Sequence, residues 1–104
     1  MAKRCEISFA ESALRDLEDI RDYYASRQVP AVGERLIREV VARVEQLSHY
    51  PDSGRIVPEF DAAWLRELVH PPFRIVYRHD ANTIRVVRVW RSERLMDEAL
   101  GGDG

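Results

Sequence analysis

Apolar and polar residues alternate with two different periods along this chain, and the change of period marks its elements. CEISF, residues 5–9, is short and alternating and reads as a first strand. From about residue 10 to residue 28 the apolar positions Ala13, Leu17, Ile20 and Tyr24 step by 4, 3 and 4, with Leu14 beside them. That spacing predicts one face of a helix, with Arg15, Asp16, Glu18, Asp19 and Arg21 around the rest. Pro30 suits the first turn of a second helix, where its missing N–H is not needed. Leu36, Val40, Val44 and Leu47, flanked by Ile37 and Val41, carry that helix to about residue 49. So short a link predicts an antiparallel helix hairpin.

The stretch HYPDSGRIVPEFDAA, residues 49–63, has no stable period and reads as a loop, with PDSG as its turn. Three β runs follow: WLREL (64–68), FRIVYRH (73–79) and TIRVVRVW (83–90). Pro71-Pro72 separates the first two, and Asp80-Ala81-Asn82 turns the last two into a hairpin. In the second run Phe73, Ile75 and Tyr77 share one face, while Arg74, Val76 and Arg78 share the other. Alternation in the third run sets Arg85, Val87 and Val89 against Ile84, Val86, Arg88 and Trp90. The expected fold is α+β in the order β-α-α-β-β-β. Its helix hairpin packs on one face of a small, mainly antiparallel sheet and leaves the other face open. SERLMDEAL predicts a terminal helical turn, and residues 101–104 a frayed tail.

Composition narrows the class. With 104 residues, 45% hydrophobic and 33% charged, the chain reads as one globular domain, residues 1–104. No apolar run approaches the ~20 residues of a membrane span, and MAKRCEISF is too polar for a signal peptide, so the expected location is the cytoplasm. Cys5 is the only cysteine and reads as a buried thiol. His49, His70 and His79 have no ligand spacing, so neither a metal site nor a cofactor is expected. Six arginines fall within residues 72–94, namely Arg74, Arg78, Arg85, Arg88, Arg91 and Arg94, although the whole chain carries a net charge of −2. A globally basic nucleic-acid binder is therefore not expected, but a local positive face is.

These residues resemble a known family. The element order, the PDSGRIVPEF loop, WLREL, the FRIVYR strand and the closing VRVWRSER are similar to the RelE/ParE toxins of toxin–antitoxin modules, over about residues 6 to 97. The motifs most particular to it are Pro51-x-x-Gly54-Arg55 with Pro58-Glu59, and Arg66-Glu67-Leu68 leading into Phe73-Arg74-Ile75-Val76-Tyr77. The resemblance implies a small antitoxin as partner, covering groove and sheet, in an oligomeric toxin–antitoxin complex. It implies one of two activities: cutting messenger RNA on the ribosome, as RelE-like members do, or poisoning DNA gyrase, as ParE-like members do. A non-toxic member that serves as an antitoxin-binding partner is a further reading.

RNA cleavage through a 2′-hydroxyl needs a base, cations for the phosphate and an acid for the leaving oxygen. By resemblance, Arg74 matches a strand arginine and Glu59 a loop glutamate used as base. Arg91 in VWRSER stands where a family histidine would be. No lysine follows Lys3 and no tyrosine follows Tyr77. A guanidinium with a pKa above about 12 is a poor proton donor at neutral pH. The candidate catalytic set is thus Glu59, Arg74 and Arg91, for a ribonuclease only. Arg66, Arg74, Arg78, Arg91 and Arg94 are the candidates for contact with target or antitoxin. The incomplete nuclease set, the acidic helices and the long helix hairpin favour the ParE-like, gyrase-directed reading.

Overall fold

The helical periods form two helices of equal length. The structure, a computed structural model, describes residues 4–91, so the turn in SERLMDEAL, the tail at 101–104 and Arg94 lie outside the described residues. Helix α1 spans Glu11–Ser26 and buries Ala13, Asp16 and Ile20. Helix α2 spans Pro30–Glu45, starts on its proline and buries Gly33, Leu36, Val40 and Val44. A 3-10 turn, Gln46–Ser48, follows and buries Leu47. Gly33 lets the helices approach closely, because a Cβ there would lie 3.0 Å from Tyr24 Cβ.

Five strands form one sheet: β1 (Glu6–Phe9), β2 (Arg55–Ile56), β3 (Leu65–His70), β4 (Phe73–Asp80) and β5 (Thr83–Arg91). Their order is β1-β5-β4-β3-β2, with β1 parallel to β5 and every other pair antiparallel. The helices cover one face. Their apolar stripes meet Leu68, Phe73, Ile75, Tyr77, Ile84, Val86 and Val89 in the main core. The α+β architecture expected from the sequence is therefore present, with the two-residue strand β2 added inside the stretch read as loop.

Strand β5 departs from simple alternation. Val76 pairs with Arg88 and Tyr77 with Val86, which leaves Val87 as a bulge. The extra residue reverses the parity of everything after it. Val89 therefore joins Ile84 and Val86 in the main core, and Trp90 turns to the opposite face. The grouping of Arg85, Val87 and Val89 expected from uninterrupted alternation is corrected by this bulge.

Strand β1 is too short to cover all of β5, and α1 completes the edge. Ala10 N–H donates to Val86 C=O (2.8 Å), Ser12 Oγ to Val87 C=O (2.7 Å) and Val89 N–H to Asp16 Oδ2 (2.8 Å). Asp16 also accepts two bonds from Arg88, at 2.8 and 2.9 Å. A carboxylate thus takes the place of a neighbouring strand, which explains a buried aspartate on the inner face of α1.

The second sheet face is not fully open. Val57, Leu65, Val76 and Trp90 form a smaller core there, under the loop that follows β2. The turn before β2 is held by Tyr77, whose hydroxyl donates to Pro51 C=O (2.8 Å) and accepts from Gly54 N–H (3.0 Å). A Cβ on Gly54 would fall 2.6 Å from both the Tyr77 hydroxyl and the Glu67 carbonyl, so only glycine fits the turn. Arg66 adds a bond to Gly54 C=O (3.0 Å), and His79 meets Asp52 at 2.8 Å. The PDSG motif is a turn buttoned onto the sheet from below.

Replacing Tyr77 by Phe leaves the Gly54 N–H and Pro51 C=O without this partner and is expected to cost about 1–3 kcal/mol in urea unfolding. Burial pushes the Tyr77 phenol above its ordinary value of 10.0, and the Gly54 N–H and Arg66 charge offset this in part. Above about pH 10 the folded chain then holds a proton that the unfolded chain has released, so stability falls as pH rises. Tyr77→Phe removes that component of the alkaline decline, which unfolding curves across pH 9 to 11 would reveal (roughly one unit either side of the tyrosine reference value).

Candidate functional site

On the face away from the helices, alternation brings charged side chains together in a row across β2, β3 and β4. Glu67 is the centre of that row and its side chain has no exposed surface. One oxygen accepts from Arg74 Nε at 2.7 Å, and the other from Arg55 Nε at 2.5 Å. Arg74 is itself buried, and its Nη2 lies 3.6 Å from Glu59 of the loop. A carboxylate held in an apolar sheet between two guanidiniums is electrostatically satisfied, and removing either partner leaves a buried charge. In the sequence Glu67 stands out only as part of the Arg66-Glu67-Leu68 motif, with no role of its own. The available signal was its position in WLREL, on the same side of the sheet as Arg74.

The six candidate residues take different places. Glu59 and Arg74 are brought together, but Arg91 is not beside them. Arg91 lies opposite Phe73 on the helix side, donates to Tyr24 Oη of α1 (3.1 Å) and stands over the Tyr23 ring. The bulge at Val87 is the cause, since it moves every later residue of β5 to the other face. Arg66 is a fold contact, bonded to the carbonyls of Ala63 and Gly54. Arg94 lies outside the described residues.

Arg78 is half exposed and lies over the exposed Trp64 ring, 5.2 Å from its centroid. Its cross-strand neighbour is Arg85. Two like charges directly opposite on one sheet face oppose folding unless an anion relieves them. Here the relief is partial: Arg78 meets Asp80 at 3.5 Å, and Arg85 donates to Ser8 Oγ at 3.1 Å. Phe60, Trp64 and Val69 are exposed by 44%, 49% and 46%, far more than the core residues beneath them. Cationic groups interleaved with exposed aromatics suit an acidic, amphipathic partner surface.

Two further polar groups among the described residues serve the fold. His70 meets Glu39 of α2 at 3.4 Å, and this bond, with Arg35, holds the Glu39 carboxyl below its ordinary range. Cys5 is buried. Among the described residues no cluster of three or more histidine, cysteine or acidic side chains is placed to hold a metal, and no helix is long and apolar enough to cross a membrane.

This fold, with its arginine-bearing sheet face, is that of the small toxins of type II toxin–antitoxin modules. A family model described as the ParE toxin of the type II toxin–antitoxin system, parDE, matches residues 7–96, and the chain belongs to that family. Among solved structures it is similar to a chain of the chromosomal ParDE toxin–antitoxin system of P. aeruginosa, with a TM-score of 0.72 and 22% identity. That match covers 86% of this chain and 98% of the other. It is also similar to a chain of the toxin–antitoxin complex RelBE2 from Mycobacterium tuberculosis, with a TM-score of 0.62 and 23% identity, covering 85% and 98%. At such identities the likeness is one of fold. Curated protein sequences give no match.

The geometry assigns Arg74 to a structural bridge. Glu67→Ala, which leaves Arg74 buried without its main partner, is expected to destabilise the chain by about 3–5 kcal/mol. Glu59→Gln, at a loose and half-exposed pair, should change it by less than about 1 kcal/mol. Thermal and denaturant unfolding of the two variants would check the contrast.

Proposed function

We propose that this toxin acts by binding its target rather than by cutting RNA, with DNA gyrase as the target, and that a cognate antitoxin covers its arginine face. The observation that carries the first part is the separation of Arg91 from Glu59 and Arg74 by the thickness of the sheet. In-line cleavage of a phosphodiester needs base, phosphate cation and acid around one phosphate. Arg74 is occupied by Glu67, and Arg91 stands against Tyr24 on the helix side. The family match and the ParDE neighbour support the ParE-like reading. Both solved neighbours are described as toxin–antitoxin systems, which supports an antitoxin partner for this chain. The opposed Arg78 and Arg85 beside Trp64 support an acidic one.

Expression without antitoxin, with protein synthesis and the DNA-damage response followed together over the first minutes, tests this. The expected outcome is DNA damage while translation initially continues, inhibition of supercoiling by purified gyrase, and toxicity retained in Glu59→Gln. An early collapse of translation with cut transcripts would overturn the proposal and return Glu59, Arg74 and Arg91 to consideration as a catalytic set.

A further inference from the structure

On the sheet face away from the helices, Arg55, Arg74 and Arg88 each hold a carboxylate at 2.8 Å or closer. Arg78 and Arg85 do not. Arg78 meets the exposed Asp80 at 3.5 Å, and Arg85 forms no ion pair among the described residues, donating instead to Ser8 Oγ. Strand register places these groups in one line. Ser8 of β1 lies opposite Arg85 of β5, and Arg85 lies opposite Arg78 of β4. At strand spacings of about 4.8 Å the line is roughly 10 Å long. Leu65 of β3 comes next, and Trp64 beside it is exposed, with the Arg78 guanidinium 5.2 Å from its ring centroid. The line therefore runs hydroxyl, guanidinium, guanidinium, indole.

Each of these groups suits one part of a nucleotide. Guanidinium forks match the paired anionic oxygens of a phosphodiester, and a hydroxyl can donate a further bond to it. An exposed indole is a platform on which an unstacked base can lie. The neighbouring row on the same face, Glu6, Thr83 and Asp80, carries two exposed carboxylates that repel a polyanion. A strand of phosphates is thereby confined to the arginine line and runs across β5 and β4 toward Trp64. The overall charge of −2 does not prevent this, because exposed charges more than about 8 Å away are largely screened at physiological salt.

We propose that Ser8, Arg85, Arg78 and Trp64 form a binding site for single-stranded DNA. A phosphodiester sits between the two guanidiniums, and an unpaired base stacks on the Trp64 ring. The choice of DNA rests on the gyrase reading above and deepens it: the toxin touches the nucleic acid that its target handles as well as the target itself. Two guanidiniums directly opposite one another weaken the isolated sheet. A bound phosphate removes that repulsion, so the site trades stability of the free chain for affinity.

Titration of the full-length, antitoxin-free toxin with a short oligothymidylate tests this. Trp90 is buried, so quenching of the exposed Trp64 reports stacking. Trp64→Ala should weaken binding about tenfold, and Trp64→Phe, which keeps a stacking ring, less than about threefold. Arg78→Gln and Arg85→Gln should each reduce the slope of log affinity against log salt by about 0.7. Arg15→Gln, at an exposed arginine of α1, should leave that slope unchanged. Both sheet variants should unfold at the wild-type temperature or above it, which separates lost binding from lost fold. An unchanged salt slope in the two sheet variants, or wild-type affinity in Trp64→Ala, would overturn the DNA site and leave the gyrase reading standing. Tighter binding of an oligouridylate of the same length would overturn the assignment to DNA. Purified gyrase that the wild-type toxin does not inhibit would overturn the target reading, and with it the DNA of that target as the ligand.

Discussion

The carboxylate of Glu67 is the constraint around which the sheet face away from the helices is arranged. It lies in β3 with no exposed surface, between Arg55 of β2 and Arg74 of β4. Moving a carboxylate out of water without a counter-charge is opposed by several kcal/mol. Two guanidiniums compensate it, and in doing so tie the short strand β2 and the central strand β4 to the same residue. Arg74 in turn reaches Glu59, which draws the loop after β2 over Val57, Val76 and Trp90. What reads in the sequence as a display of arginines is, in its middle, an internal ion-pair network.

Two arginines of the sheet face stay outside this network. Arg78 and Arg85 face one another across β4 and β5 without a full counter-charge, and Trp64 lies exposed beneath Arg78. Folding alone does not favour such a pair. Arg74, by contrast, supports the surface from below, and Arg66 holds the turn that frames it.

One inserted residue sorts the two faces. The bulge at Val87 sends Val89 inward to the helices and Trp90 outward to the second core, and it carries Arg91 around to α1. It falls where β1 has ended and Asp16 of α1 takes over as partner of β5. A strand that changes its neighbour from a strand to a helix side chain must adjust its twist there, and a bulge is how strands do so. The distribution of arginines between helix side and open side thus depends on the length of β1.

The helices and main strands were legible in the sequence because periods of 3.6 and 2 are local signals: Ala13, Leu17 and Ile20, or Phe73, Ile75 and Tyr77, declare their face by spacing alone. The turn at Pro51–Gly54 was legible as a turn, but not the reason for its glycine, the Tyr77 hydroxyl more than twenty residues later in the chain. Candidate residues were legible as types: arginines on a sheet, a glutamate in a loop. Their partners were not, because a salt bridge depends on which strands become neighbours, and β2 is too short to have a period. The bulge was equally invisible, since Val87 fits either alternation. Sequence by itself determined the two helices, the four longer strands, their order and the positive charge of one segment. Only the tertiary structure decided that Glu67 and Arg74 neutralise one another, that Arg91 lies apart from Glu59, and that Arg78, Arg85 and Trp64 remain at the surface, because each of these is set by contacts between strands distant in the chain.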